Sequence, residues 1–186
     1  METLSNENKH EQYNLIPKIY VASLADYNDG ELHGSWINAN QDTDDIYFEI
    51  DEILKSSAQP NAEEWAIHDY EGFGEIRISE FETIETVSTL GKGIGEHGLV
   101  FSHFVQLVGT NNLEDLKRFD DIYIGRWDSM EQYAQELLDD LGFDLDQVVP
   151  EFIRPYIRVD IESFARDLKY DLYVSEDSDG VYVFEI

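Results

Sequence analysis

Negative charge is the feature that most limits what this chain can become. It carries 41 Asp and Glu against 12 Lys and Arg, a formal net charge of -29 at pH 7. Drawing so many like charges into one compact body works against folding, which favours an elongated arrangement of small bodies. The charge is also uneven. Residues 1–19 hold 3 acids and 2 bases, whereas residues 20–80 hold 15 acids with only Lys55 and Arg77. Residues 81–118 hold 5 acids and 3 bases, and residues 119–186 hold 18 acids and 5 bases. Two strongly acidic ends therefore flank a nearly neutral middle, which points to three units rather than one. The chain is no disordered acidic tail, because 42% of it is hydrophobic and 13% aromatic. It folds against its own repulsion.

With 186 residues, one ordinary domain or two to three small ones are possible. There is no cysteine, which excludes disulfides and thiolate metal sites. The sequence has no run of eighteen apolar residues and no signal-peptide pattern, so a cytoplasmic protein without a membrane partner is expected. Phosphates would be repelled, so direct nucleic-acid binding is not expected either. The natural partner of such a surface is a basic one.

Patterning gives a coarse architecture. Ile19 to Leu24, Leu32 to Ile37 and Trp65 to Tyr70 read as strands, the first two around the turn-rich Asp26 to Gly30. Asp42 or Thr43 caps a helix whose apolar stripe is Ile46, Ile50, Ile53 and Leu54. On that helix Asp44, Asp45, Asp51 and Glu52 fall opposite the stripe, with Glu49 at the border. Ser79-x-x-Glu82 reads as a capping box ahead of Ile84 and Val87. Gly91, Gly93 and Gly95 predict a flexible connection before a buried helix over Leu99 to Val108, and Asn112-x-x-Asp115 starts a further short helix. Ile122 to Trp127 reads as a strand. Asp128-x-x-Glu131 then caps a helix with Met130, Tyr133, Ala134, Leu137, Leu138 and Leu141 inside, stopped by Gly142. Ile161, Phe164, Ala165 and Leu168 mark another helix, and Leu172 to Ser175 with Val181 to Ile186 form a hairpin turned by Asp179-Gly180. The expected fold class is α+β, an elongated chain of three small domains. An extension over 1–17 precedes them, and they are an α/β domain over 18–78, a mainly helical domain over 79–118 and an α/β dimerisation domain over 119–186.

The residues do not spell out an enzyme. Ser175-x-Asp177-x-Asp179-Gly180 partly resembles a calcium loop, but the twelfth position is Ile186 rather than Glu, and the flanks read as strands. His97 and His103 are six positions apart with no His-Glu-x-x-His, and they read as packing or surface histidines. The glycines at 91, 93 and 95 lack the order of a phosphate loop. Two carboxylates for glycosidase chemistry are always available among 41 acids, which makes that signal uninformative. Cys is absent, and no Gly-x-Ser-x-Gly nucleophile occurs. No catalytic residue, metal ligand or cofactor is assigned. An acidic hydrolase or a calcium-binding protein with an unseen site stays open as a competing reading.

Three strings resemble a known family. They are Tyr27-Asn28-Asp29-Gly30-Glu31-Leu32-x-Gly34-x-Trp36, Glu64-x-Ala66-Ile67-His68-Asp69-Tyr70-Glu71, and Tyr156-Ile157-x-x-Asp160 followed by Phe164-Ala165-Arg166-Asp167-Leu168. Together, in this order from about residue 18 to the end, they resemble the ArdA antirestriction proteins of conjugative plasmids and transposons. Two features depart from the family: the extension over 1–17, and the Gly91 to Gly98 stretch, where the family looks more helical.

The resemblance implies an elongated homodimer of three-domain subunits, joined through the C-terminal domain. Its carboxylates imitate the phosphates of bent B-form DNA and occupy type I restriction-modification enzymes. A dimer with about 58 net charges matches about 100 Å of duplex, or some 30 base pairs, at one charge per roughly 1.7 Å. The residues expected to carry this mimicry at the N-terminal end are Asp26, Asp29, Glu31, Asp42, Asp44, Asp45, Glu49, Asp51, Glu52, Glu63, Glu64, Asp69 and Glu71. At the C-terminal end they are Asp120, Asp121, Asp128, Glu131, Glu136, Asp139, Asp140, Asp144 and Asp146. For Asp29, Glu31, Asp69 and Glu71, turn chemistry competes evenly with mimicry. Tyr173, Val174, Tyr182 and Phe184 of the terminal hairpin are the expected dimer contact. A module for some other basic DNA-binding or defence protein is the alternative.

Overall fold

The computed structural model describes residues 16–186, so most of the extension expected over 1–17 lies outside the described residues. Those residues are mixed α+β, with eight α-helices and two three-stranded antiparallel sheets. The chain divides into two compact units, a first ending at Leu116 and a second spanning Lys117–Ile186. The stretches expected as N-terminal and central domains lie together in the first.

In the first unit, β1 (Lys18–Ser23) is the middle strand, paired with β2 (Gly34–Asn38) on one side and β3 (Trp65–Glu71) on the other. Between β1 and β2 the chain turns through α1 (Leu24–Asn28), a single helical turn. Leu24, expected to end the first strand, opens that turn because the Ser23 hydroxyl accepts from the Asp26 N–H and caps it. Gly30, at φ +90°, supplies the left-handed residue that lets the chain leave the turn. α2 (Thr43–Lys55) lays Ile46, Ile50 and Ile53 into the core with Ile19, Val21 and Ile37 of the sheet. α3 (Ile84–His97) and α4 (Val100–Val108) pack on one another, with Val87, Leu90, Phe101 and Phe104 buried.

The glycine-rich stretch is where the structure departs most from expectation. Gly91, Gly93 and Gly95 lie inside α3 and are no flexible connection. Each stands where a side chain would collide: a Cβ on Gly91 would run into the Ala39 carbonyl, one on Gly93 into the Phe101 ring, and one on Gly95 into the Asn40 side-chain amide. The glycines cost helix propensity and are repaid by close approach. Ser88 and Lys92 of the same helix fasten it further: the Ser88 hydroxyl donates to the Gln41 carbonyl at 2.7 Å, and Lys92 pairs with Asp42. Helix α3 is thereby clamped against the 39–42 bend. The capping box is also displaced. Thr83, not Ser79, caps α3, accepting from the Thr86 N–H at 3.2 Å, while its own N–H donates to Glu82 at 3.3 Å.

In the second unit, a 3-10 turn (Asp115–Arg118) crosses from the first into α5 (Phe119–Ile122), which ends at β4 (Tyr123–Trp127). Next come α6 (Met130–Asp140) and α7 (Leu145–Val148), then a 3-10 turn over Arg154–Tyr156 and α8 (Ile161–Leu168). The hairpin of β5 (Leu172–Asp177) and β6 (Gly180–Glu185) completes the chain, in sheet order β4-β6-β5. Met130, Tyr133 and Ala134 of α6 and Ala165 of α8 form one core with Val181 and Val183. The α6 cap is one residue later than expected: the Ser129 hydroxyl accepts from the Gln132 N–H at 3.2 Å, and the Gln132 side-chain amide oxygen accepts from the Asp128 N–H at 2.9 Å. Leu141, expected inside, lies beyond the helix end and is exposed, while Gly142 takes φ +67° to stop the helix.

Phe184 and Tyr182, expected at a dimer contact, are buried in the protomer's own interior. Phe184 has no exposed surface, and the rings of Tyr123, Tyr173 and Phe119 stand 5.3, 5.9 and 6.5 Å from it. Strand β6 is central and both of its faces are covered, so alternate residues on either side are core. Tyr173 and Val174, on the edge strand β5, are half-buried.

Candidate partner-binding surface

Helix α2 builds the clearest acidic surface. A 3.6-residue period puts Asp44, Asp45, Asp51 and Glu52 on the side away from the buried isoleucines, and all four are exposed. Asp44 and Asp45 sit in the first turn, where the helix dipole favours negative charge. Glu52 pairs with Lys55 at 3.0 Å, and the half-buried Glu49 accepts from the Gln41 amide at 2.7 Å. Asp42 precedes the helix without a side-chain capping bond. It faces Lys92 instead, whose hydrogen bond and charge hold its carboxyl below the ordinary carboxylate range.

The aromatic Phe48 emerges in the middle of these acids, at positions three and four from each of them, and is 64% exposed. Sequence reading passed over it. Its signal was present, since an apolar residue opposite the Ile46–Ile50–Ile53 stripe has no place in the core. Tyr47, beside it, is exposed too, and its hydroxyl titrates above its ordinary range through partial burial and the nearby Glu85 of α3.

A second acidic group lies around α1 and β3. Asp29, Glu31, Glu63, Glu64, Asp69 and Glu71 are all exposed. Several are tied into local structure: Gln59 donates to Asp29 at 2.7 Å, the Tyr70 N–H to Asp69 at 2.8 Å, and Lys18 pairs with Glu71 at 2.9 Å across the β1–β3 register. Lys18 also lies 4.7 Å over the Trp36 ring, so its ammonium is held between an acid and an aromatic. Asp26 does not belong to this surface. It is 3% exposed, and its carboxylate accepts from the Ser57 hydroxyl at 2.6 Å. Hydrogen bonds from Ser23 and then Ser57 lower its pKa, outweighing burial. Asp26 is a structural acid that closes the α1 turn, and sequence reading placed it wrongly among surface carboxylates.

In the second unit, Glu131, Glu136, Asp139 and Asp140 line the outer side of α6, and Asp120, Asp121, Asp128, Asp144 and Asp146, on other segments, are exposed too. These acids are more tethered. Glu136 accepts from the Trp127 indole N–H at 2.6 Å and from Gln132 at 3.1 Å, and Asp139 accepts from Gln135 at 3.0 Å. Asp144 caps α7 through the Asp146 N–H at 2.8 Å, while Asp146 pairs with Arg154 at 3.3 Å. Bonds from its own backbone N–H and from Ser129 lower the pKa of Glu131.

Of the twenty-two acids expected at the surface, twenty are exposed; Asp26 is buried and Glu49 is half-buried. Among the described residues no group of three or more His, Cys, Asp or Glu is arranged to hold a metal ion, and no helix is long and apolar enough to cross a membrane. The calcium-like stretch is a hairpin turn, with Asp177 accepting from the Asp179 and Gly180 N–H groups at 2.7 and 3.1 Å. No curated protein matches the chain. Residues 19–183 match the family described as antirestriction protein (ArdA), which is most of the sequence, and the chain belongs to that family.

Proposed function

We propose that the protein inhibits type I restriction-modification enzymes by occupying their DNA-binding groove with its own carboxylates. It works without catalysis and without a cofactor, in the cytoplasm. The observation that carries this reading is the exposure of twenty carboxylates on two units of one chain, few of them opposed by a base. Arg and Lys of an enzyme groove would meet Asp and Glu as they meet phosphate, through charge-assisted hydrogen bonds. Complementary fields speed such an encounter, and salt weakens it.

A homodimer joined through the second unit completes the proposal. Strand β5 is an edge strand, so its backbone donors and acceptors offer a template to a second copy, with Tyr173 and Val174 beside it. The acids Asp29, Glu31, Asp69 and Glu71 serve the turn and sheet while adding charge to the same surface.

The test is displacement of labelled duplex from a type I methyltransferase core across a salt series. Stoichiometric displacement that weakens steeply with salt is expected. No displacement at low salt by folded, dimeric protein would overturn the type I reading and favour another basic partner.

A further inference from the structure

Phosphate imitation by itself leaves Phe48 unexplained. A duplex backbone presents no apolar ring among its charges, yet the exposed face of α2 places one at the centre of Asp44, Asp45, Asp51 and Glu52. Phe48 adds nothing to the core, since Ile46, Ile50 and Ile53 fill that side and the ring is 64% exposed. One exposed hydrophobic residue is ordinary on a protein surface. Its position is not: each of the four acids is one helical turn away, at the spacing where side chains meet.

We infer that Phe48 and its four carboxylates form a docking face for arginine side chains of the basic partner, with the ring as the apolar anchor. Arginine fits this face because its guanidinium is planar and weakly hydrated. It can lie on an aromatic ring while forking to a carboxylate beside it. Lysine satisfies the charges alone, as a strongly hydrated point charge. Charge complementarity selects a basic surface, and the ring selects arginine within it. The inference rests on the proposed inhibitory function and deepens it. Carboxylates would supply the salt-sensitive part of binding, and Phe48 a part that salt does not screen. That second part lets the protein compete with DNA where charge alone is shared by both.

Displacement of duplex from a type I methyltransferase core separates these contributions when it is measured at several salt concentrations with full-length protein. Wild type is compared with Phe48→Ala, Phe48→Leu and the double variant Asp44→Asn/Asp45→Asn. Phe48→Ala is expected to weaken displacement by about tenfold at every salt concentration, with an unchanged slope. Phe48→Leu, which keeps apolar area but loses the ring face, is expected to fall between. The double variant is expected to flatten the slope. Each Phe48 variant should melt with wild type, because the ring is not core. If Phe48→Ala displaces duplex as well as wild type, or changes the slope as an acid does, the anchor is wrong while the inhibitory function stands. If wild type itself fails to displace duplex, both fall together.

Discussion

Helices α2 and α6 both turn carboxylates away from a three-stranded sheet, but they hold them differently. On α2, Lys55 reaches Glu52 and no ion pair among the described residues engages Asp44, Asp45 or Asp51. On α6, Trp127, Gln132 and Gln135 grip Glu136 and Asp139. One face carries charge on side chains that can adjust to a partner, and the other carries it in a fixed pattern. The cost of repulsion is met locally in both cases: α2 puts two acids at the favourable end of its dipole, and α6 spreads its acids among neutral amide donors. Uniform charge counts for the two ends of the sequence conceal this contrast.

The strongest way to break the comparison is to unseat one region and leave the other. Gly91→Leu would drive a side chain into the backbone at Ala39, separating α3 from the bend that leads into α2. We expect a loss of about 3 kcal/mol in the first unit, read as an early urea transition, with the second unit retained. Gly142→Ala provides the contrast within the other unit. Nothing lies near its Cβ, so the cost is only that of a left-handed residue, about 1 kcal/mol.

Removing charge from the two faces sharpens the comparison. Neutralising Asp44, Asp45, Asp51 and Glu52 together is expected to weaken duplex displacement by tens of fold or more and to flatten its salt dependence. The matching change at Glu131, Glu136, Asp139 and Asp140 should flatten the salt dependence as well. However, it should also lower the melting temperature, because Glu136 and Asp139 accept bonds that their amides only partly replace. The α2 variant should melt close to the wild-type temperature: it gives up the exposed Glu52–Lys55 pair and the dipole contribution of Asp44 and Asp45, but relieves repulsion and removes no hydrogen bond from Asp44, Asp45 or Asp51. Equal melting shifts for the two variants would remove the distinction between adjustable and fixed faces.

Such contrasts show what the residues alone reveal. The α2 face was legible because a 3.6-residue period is written locally, and so were the antiparallel hairpin and the α8 stripe. The helicity of Gly91 to Gly95 was not. Glycine argues locally for a break, and the reason for the helix lies at Ala39, Asn40 and Phe101, which only the fold brings together. Phe184 and Tyr182 misled for a related reason: alternation in a hairpin says that two faces differ, but not that both are covered. Asp26 failed as a surface acid because Ser57, its hydroxyl partner, is 31 residues away. Local sequence carries spacing and caps; it does not carry who arrives from elsewhere in the chain.

Acid titration gives a smaller effect. Asp26 and Asp42 in the first unit, and Glu131 and Asp160 in the second, have pKa values below the ordinary carboxylate range. A lowered folded-state pKa contributes stability at pH values above the unfolded value, and that contribution is lost as pH falls through the folded one. These four groups therefore favour loss of stability below the ordinary carboxylate range. Protonating the many exposed acids relieves repulsion over the same range and opposes it. Asp26→Asn isolates the buried member. It should lower the melting temperature by about a few degrees at neutral pH, with the difference from wild type shrinking in acid. A difference that stays constant with pH would mean that Asp26 works through shape rather than charge.

The smallest expected effect falls at the junction of β4 and α6. Trp127→Phe keeps an aromatic ring facing Tyr133, whose centroid is 4.6 Å from the indole, and removes only the N–H that fixes Glu136. The lost bond lies at an exposed carboxylate that water can solvate, so the stability cost should be about 1 kcal/mol, measured by urea unfolding. The charge stays in place, so its long-range attraction for a basic partner should be unchanged. What changes is its freedom: Glu136 would be held by the Gln132 amide alone, and so be closer to the adjustable acids of α2. If fixed geometry on α6 matters to recognition, displacement should weaken by about twofold with no change in salt slope. If displacement is unchanged, α6 contributes its charge alone, and the tethering of its acids belongs to folding rather than to binding.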